Sequence, residues 1–353
     1  MTFITAGFFA IILAYFAGHT KYKKLLYFSF LIIAIIMGFQ TYAGADIYDY
    51  EKWFYYQSYE MEIGWLWLNK LFSPLGFRAL LICLSLFESF VLCRLILKYV
   101  PKKWYWLSVL IFYFTPGYMF FYMSGLRQAL AITLFILAFD YIIDKKFIKA
   151  IILILVAALF HKTALICLPL VFFGYISEYK QYHKTLFFSI VICLVFVVFY
   201  SLRVNLSTLV DEGIVFFFNL NNDFSKYYNY LDMYEIFEIS IFILIFDIAL
   251  LFCAVQSLRK TKTKQDVILI IFLLLSILTQ PFVYGMGALF RIFLYVSMFS
   301  IASIPIIASK MDSKYGLNYI FAIAIIYWSL HQGIGFINTI QGSEYLNYHF
   351  SFN

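Results

Sequence analysis

Three polar side chains stand at the ends of strongly apolar segments, where a charge is costly to keep. Arg127 lies in SGLRQALA, His161 in LFHKTAL and Arg291 in GMGALFRIF. Arginine stays charged and grips phosphate oxygens with two parallel N–H groups. An imidazole with its ordinary pKa of ~6.5 accepts a proton or, when charged, binds an anion. These residue types predict a site for phosphate or diphosphate, with Lys162 as a further contact. Arginines and a histidine that merely extend to a membrane interface fit the same pattern.

A second set of candidates lies in an acidic, aromatic stretch, GADIYDYEKWFYYQSYEMEIGW, at residues 44–65. Carboxylates bind sugar hydroxyls and act as general bases, and aromatic rings stack on the apolar faces of sugars. The stretch therefore predicts a carbohydrate-binding surface. A solvated acidic loop with aromatic rings at the headgroup level fits it equally well.

The elements that must position these residues are apolar helices. Of the 353 residues, 64% are hydrophobic and 13% are charged, whereas soluble domains are ~45–50% apolar. A membrane span needs ~20 largely apolar residues. We therefore predict an all-α, polytopic transmembrane bundle that forms a single membrane domain over residues 1–353. The predicted spans, about twelve, are 3–17, 25–41, 78–97, 104–122, 128–143, 147–160, 164–176, 185–202, 236–257, 267–282, 289–308 and 317–337.

The charge pattern predicts the orientation of these spans. Most of the 26 Lys and Arg residues lie in alternate short connections, and basic loops stay in the cytoplasm. The other connections carry most of the 19 acidic residues. Both termini and the helix ends with Arg127, His161 and Arg291 then lie outside. The basic connections are residues 19–24, 98–103, 144–149, 177–184, 257–266 and 309–316.

Two outer connections, 42–77 and 203–235, are long enough to form structure of their own. Loops beyond ~12–15 residues are usually functional or disordered, and these are too aromatic to be disordered. Within the first, the apolar stretch 63–71 is too short to span and predicts an interfacial or re-entrant helix. The second predicts a lid over the site.

Other kinds of chemistry find no support in the sequence. The five cysteines lie inside apolar runs without metal-ligand spacing, as expected for small buried side chains. A P-loop, a dinucleotide fingerprint and a nucleophile elbow are all absent. We therefore expect no metal, no cofactor and no nucleic-acid partner. The cysteines are Cys83, Cys93, Cys167, Cys193 and Cys253.

The order of the motifs resembles that of the EpsG-type polymerases of exopolysaccharide and O-antigen synthesis, relatives of the Wzy-type (Wzy-like) polymerases. Five pieces carry this resemblance and together cover most of residues 40–300. They are GADIYDY at 44–50, EIGWLWLNKL at 62–71, SGLRQALAITLFILA at 124–138, ALFHKTALICLPL at 158–170 and LFRIFLY around Arg291.

The resemblance implies an inverting glycosyltransferase of GT-C-like architecture in the bacterial cytoplasmic membrane. It would join polyprenyl-diphosphate-linked oligosaccharides, as donor and acceptor, at an extracytoplasmic site for O-antigen, capsule or exopolysaccharide. A chain-length regulator and a flippase would be its protein partners. Arg127 and Arg291 would hold the leaving diphosphate, His161 would assist, and Asp46 or Glu62 would be the general base. The implied substrate-binding residues are Asp49, Tyr50, Gln128, Lys162, Tyr227 and Tyr228.

Two other classes of protein share the span count or the histidine. A lipid-linked oligosaccharide flippase or other transporter would line a central cavity with charge. Only Glu88 and Asp247 lie near the middle of predicted spans. A membrane O-acyltransferase would use His161 as its catalytic histidine.

Overall fold

The computed structural model describes residues 2–41, 46–56, 61–176, 190–198, 201, 241–283, 293–311, 313, 315–338, 348 and 350. In these residues the backbone is helical, and its one β contact is an isolated antiparallel bridge between Gln40 and Phe350. The chain divides into two compact units, residues 1–176 with 301–353 and residues 177–300. The single-domain interpretation stays a prediction.

The helices follow the apolar segments closely. The first outer connection contributes two helices of ten residues each, α3 and α4. The helices are α1 Thr2–His19, α2 Leu25–Gly38, α3 Ile47–Tyr56, α4 Ile63–Phe72, α5 Phe77–Tyr99, α6 Tyr105–Phe114, α7 Met119–Ser124, α8 Leu126–Ile143, α9 Phe147–Ala158, a 3₁₀ helix Lys162–Tyr175, α10 Ile241–Leu258, α11 Lys264–Val283, α12 Ser300–Lys310 and α13 Leu317–Ile337.

Five helices of the described residues, α1, α5, α8, α10 and α13, are long and apolar enough to cross a membrane. Many of their large apolar side chains are exposed, including Phe9 of α1 at 64% and Ile323 of α13 at 64%. Such surfaces need a lipid environment, because water would penalise them. The chain is thus a multi-pass helical membrane protein. The count of about twelve spans and the GT-C-like architecture stay predictions.

Two predicted spans differ from simple α-helices. The segment 104–122 is interrupted between α6 and α7, because Pro116 lacks an N–H donor and holds the preceding Thr115 in an extended conformation. The segment 164–176 largely coincides with the 14-residue 3₁₀ helix Lys162–Tyr175. At the steeper rise of this helix type it extends about 28 Å, close to the ~30 Å thickness of a bilayer core.

Neighbouring helices of the first unit pack in a continuous series. α6 packs on α1, α1 on α2, α2 on α5, α5 on α8, and α8 on both α9 and the 3₁₀ helix. Small residues allow some of these approaches, as is usual between membrane helices. At Gly7 of α1, for example, a Cβ atom would lie 2.5 Å from the ring of Tyr113. In the second unit, α10 packs on α11.

Helices α5 and α8 run parallel and are joined at both ends. At their N-terminal ends, leucines of both helices share one apolar cluster, Leu80, Leu81 and Leu84 with Leu126 and Leu130. At their C-terminal ends, Asp140 of α8 pairs with Arg94 and, at 2.8 Å, with Lys98, and accepts a hydrogen bond from the Tyr99 hydroxyl. This second contact fixes the position of α8 along α5 about 20 Å from Arg127.

We expect Asp140→Asn to lower the melting temperature of the detergent-purified protein. The substitution removes the counter-ion of two cations. Because the side chains of these cations are about half exposed, we expect the free energy of unfolding to fall by about 1–3 kcal/mol, between the values for exposed and buried pairs. Asp144→Asn is the matched control, because the Asp144 and Lys146 side chains are each about half exposed and their pairing contributes little. Equal melting temperatures for wild type and Asp140→Asn would contradict the assignment.

Candidate active site

Arg127 lies in the first turn of α8 and is the centre of the described site. Its side chain is only 19% exposed, and its Nη1 group donates to Oε2 of Glu62 in an ion pair. Its Nε group donates to the Tyr50 hydroxyl at 3.4 Å. In the described part of the chain these two acceptors leave the Nη2 group for a ligand. The N-terminal end of a helix also favours a bound anion.

Glu62 reaches Arg127 because of where α4 begins. It is the residue just before the helix, with an extended backbone, and its side chain does not cap the first turn. The Gly64 N–H donates to the carbonyl of Leu159 at 2.9 Å, which fixes the start of α4 against the end of α9. An added Cβ at Gly64 would lie 2.7 Å from that carbonyl oxygen. Only glycine permits this approach.

Aromatic rings form one wall of the site. The guanidinium carbon of Arg127 lies 5.7 Å from the centre of the Tyr50 ring and 5.9 Å from that of Trp53, within the range of cation–π attraction. The Tyr50 ring meets Trp53 and Trp65 edge-on, each at 5.4 Å. Tyr50 and Trp65 are buried in the apolar cluster that joins α3 and α4 to α5 and α8. The wall therefore rests on packed side chains.

Asp46 acts on the same group of residues through its charge. Burial raises the pKa of the Tyr50 phenol; the Arg127 guanidinium lowers this pKa and the Asp46 carboxylate raises it. The net shift is upward, so the phenol is neutral at physiological pH and its oxygen accepts from Arg127.

His161 lies close to this group along the backbone. It immediately precedes the 3₁₀ helix, and one of its ring nitrogens, Nδ1, hydrogen-bonds with the Thr163 hydroxyl. Leu159 contacts Gly64 of α4, and His161 follows Leu159 by two residues in the sequence. The intervening Phe160 packs on the apolar cluster. The meeting of His161 with Arg127 stays a prediction.

Of the remaining predicted residues, the structure describes three. Asp49 and Lys162 are exposed, and Gln128 is 3% exposed in the helix interior. Three predicted residues lie outside the described residues, as does the predicted lid at 203–235. These residues are Arg291, Tyr227 and Tyr228.

The structure also shows contacts that the sequence reasoning missed. Trp53 stands three residues after Tyr50, and this spacing places both rings on one side of a helix. The contact of Trp53 with Arg127 was therefore predictable from the sequence. Arg78 and Gln40 carried no comparable signal. Arg78 Nη1 donates to the Gln40 carbonyl at 2.6 Å, and Gln40 Nε2 donates to the Met123 carbonyl at 2.9 Å. These bonds join the ends of α2 and α7 just before the turn to Arg127.

The residues of the site are suited to bind an anion next to carboxylates. The described residues contain no group of His, Cys, Asp and Glu side chains that could hold a metal ion. A buried arginine on an aromatic wall suits a phosphate or diphosphate group. Carboxylates and aromatic rings suit sugars.

A protein-family model, that of the EpsG family, matches residues 23–350. The chain belongs to the EpsG family. This family is associated with polysaccharide polymerase and glycosyltransferase-like function in membranes. The EpsG match spans α2 to the end of α13 and includes every residue of the described site. Comparisons with curated proteins and with solved structures give no match.

We expect Gly64→Ala to disrupt the site in this EpsG protein without removing any charged group. The new methyl group would press on the backbone of Leu159, which cannot rotate away, and overpacking of this kind costs about 1–3 kcal/mol. The melting temperature of the purified protein should therefore fall. Gly335→Ala is the matched control, because nothing lies within 4 Å of its added Cβ. Equal effects of the two substitutions would contradict the proposed fixing of α4.

Proposed function

We propose that the chain is a polysaccharide polymerase, an inverting glycosyltransferase that joins polyprenyl-diphosphate-linked oligosaccharide repeats. The site lies on the extracytoplasmic face of the bacterial cytoplasmic membrane. The observation that carries the proposal is the buried Arg127 at the N-terminal end of α8, beside Glu62 and on an aromatic wall. Membership of the EpsG family supports the same activity.

Arg127 is the residue to which we assign the leaving diphosphate. As the bond between the anomeric carbon and the phosphate oxygen breaks, negative charge grows on the diphosphate, and a positioned guanidinium stabilises that charge. The aromatic surroundings exclude water and strengthen the interaction. Arg291 would supply a second cation, as the family resemblance implies.

The acceptor half of the reaction needs a general base. A sugar hydroxyl of the incoming repeat loses its proton to this base and attacks the anomeric carbon, while the lipid diphosphate departs from the opposite face. Asp46, Asp49, Glu62 and His161 are the candidates. Glu62 pairs with Arg127, and the charge of Asp46 acts on Tyr50. Tyr50, Gln128, Lys162, Tyr227 and Tyr228 would contact the substrates.

The donor already holds the energy for transfer in its glycosyl diphosphate bond. The proposed reaction therefore needs no nucleotide at this site. The substrates are lipid-linked, which accounts for a site at the end of membrane helices. A chain-length regulator and a flippase that delivers the repeats would act with the enzyme.

We expect Arg127→Ala to abolish polymer formation in cells and Arg127→Lys to reduce it at least about 10-fold. Lysine keeps the charge but loses the forked geometry, and loss of one such donor costs about 10²–10³ in rate at comparable sites. The measurement is gel analysis of polymer together with extraction of lipid-linked repeats. Arg259→Ala, in an exposed turn after α10, is the control.

The location of the accumulated repeats distinguishes the proposal from transport. Single repeats that accumulate on the extracytoplasmic leaflet in the Arg127 variants support polymerisation. Repeats that stay on the cytoplasmic leaflet would replace the proposal with a flippase. Normal polymer in Arg127→Ala, with membrane insertion equal to that of the wild type, would remove Arg127 from the reaction.

A further inference from the structure

The ion pair between Glu62 and Arg127 occupies the position that the proposed function assigns to a diphosphate. Both are acceptors for the same guanidinium, and Glu62 already takes the Nη1 group. A carboxylate and a phosphate oxygen make the same kind of charge-assisted hydrogen bond to arginine. The two groups therefore compete for Arg127.

The charge of the site sharpens this competition. Glu62 offsets the charge of Arg127, so a diphosphate that approaches the occupied site meets no net positive charge from this pair. If the Glu62 carboxylate moves away from the guanidinium, the positive charge of Arg127 and the Nη1 and Nη2 groups become available together. Binding of the anion therefore favours a state in which Glu62 has left.

The geometry of an inverting transfer also separates Glu62 from the role of base. In such a displacement the acceptor hydroxyl attacks the anomeric carbon from the face opposite the leaving group. Glu62 touches the guanidinium that holds the leaving group, with both side chains largely buried at 13% and 19% exposure. A carboxylate in that position stands on the diphosphate side of the sugar.

We propose that Glu62 is an internal anion that occupies the diphosphate site of the resting protein and returns to Arg127 to displace the product diphosphate. This inference rests on the proposed function of Arg127. Glu62 acts through Arg127 and is therefore a positioning residue. It sets how tightly the site holds the donor and how fast the lipid diphosphate leaves after transfer.

The start of α4 offers the displaced carboxylate a second position. Glu62 directly precedes the helix, and its side chain makes no capping hydrogen bond while it is paired with Arg127. A negative charge is favoured at the N-terminal end of a helix. The two positions lie within reach of one side chain, so the exchange requires no movement of α4 itself.

The test is calorimetric titration of the purified, full-length protein with inorganic pyrophosphate, for wild type, Glu62→Gln, Glu62→Asp and Arg127→Ala. We expect Glu62→Gln to bind pyrophosphate about tenfold more tightly than wild type, the effect of removing one modest competing interaction. Glu62→Asp, whose side chain is shorter, should have an affinity for pyrophosphate between those of wild type and Glu62→Gln. Arg127→Ala should lose pyrophosphate binding. Glu51→Gln, in the same outer connection, is the matched control.

Steady-state kinetics with a lipid-linked repeat give the second readout. Glu62→Gln should lower both KM for the donor and kcat, and pyrophosphate should inhibit it about tenfold more strongly than wild type, because product release becomes slow. A general base would instead lower kcat without tightening pyrophosphate binding. If Glu62 were purely structural, its substitution would lower the melting temperature without tightening pyrophosphate binding.

Pyrophosphate binding to Glu62→Gln that is no tighter than to wild type overturns the inference, and so does tighter binding without stronger product inhibition. Should Glu62→Gln fail to fold, the affinities of wild type and Glu62→Asp for pyrophosphate decide: Glu62→Asp must bind more tightly than wild type. If wild type forms no polymer while the order of affinities holds, the proposed function fails and the internal anion stands. If polymer forms but the order of affinities fails, the inference fails alone.

Discussion

The partly buried ion pair between Arg127 and Glu62 is the interaction on which the site depends. A guanidinium that is 19% exposed would be destabilising without a partner, because it is largely removed from water. The resting protein satisfies it with a carboxylate, and the Tyr50 and Trp53 rings stabilise the cation further. An anionic ligand is the natural replacement for that carboxylate. The same constraint thus stabilises the ion pair and favours exchange of the carboxylate for a diphosphate.

The surrounding helices hold the two partners of this pair in position. α8 carries Arg127 and is tied to α5 at both ends, by the leucines near the site and by Asp140 at the far end. α4 carries Glu62 and is fixed to α9 through Gly64 and Leu159. The contacts between Arg78, Gln40 and Met123 set the turn that leads into α8. The short helix α4, packed against longer helices, therefore places the Glu62 carboxylate next to Arg127.

Much of the fold was predictable, because apolar run length and alternating loop charge are strong signals in a membrane protein. Arg127, Glu62, Asp46 and Tyr50 were also found from residue type, and the structure brings Arg127, Glu62 and Tyr50 into contact. The pairing of Glu62 with Arg127 was not predictable, since it depends on the angle at which α4 leaves Glu62 and on the close approach at Gly64. The break at Pro116 and the long 3₁₀ helix depend on backbone geometry that apolar periodicity does not encode.

The proposed activity of this site is the joining of lipid-linked oligosaccharide repeats. The most direct measurement is incubation of the purified protein in lipid vesicles with a polyprenyl-diphosphate-linked repeat unit and no nucleotide, followed by separation of the glycans by size. The account predicts a ladder of glycans that grows by one repeat per step, with release of polyprenyl diphosphate. An unchanged single repeat, from a protein that is folded and correctly inserted, would contradict it.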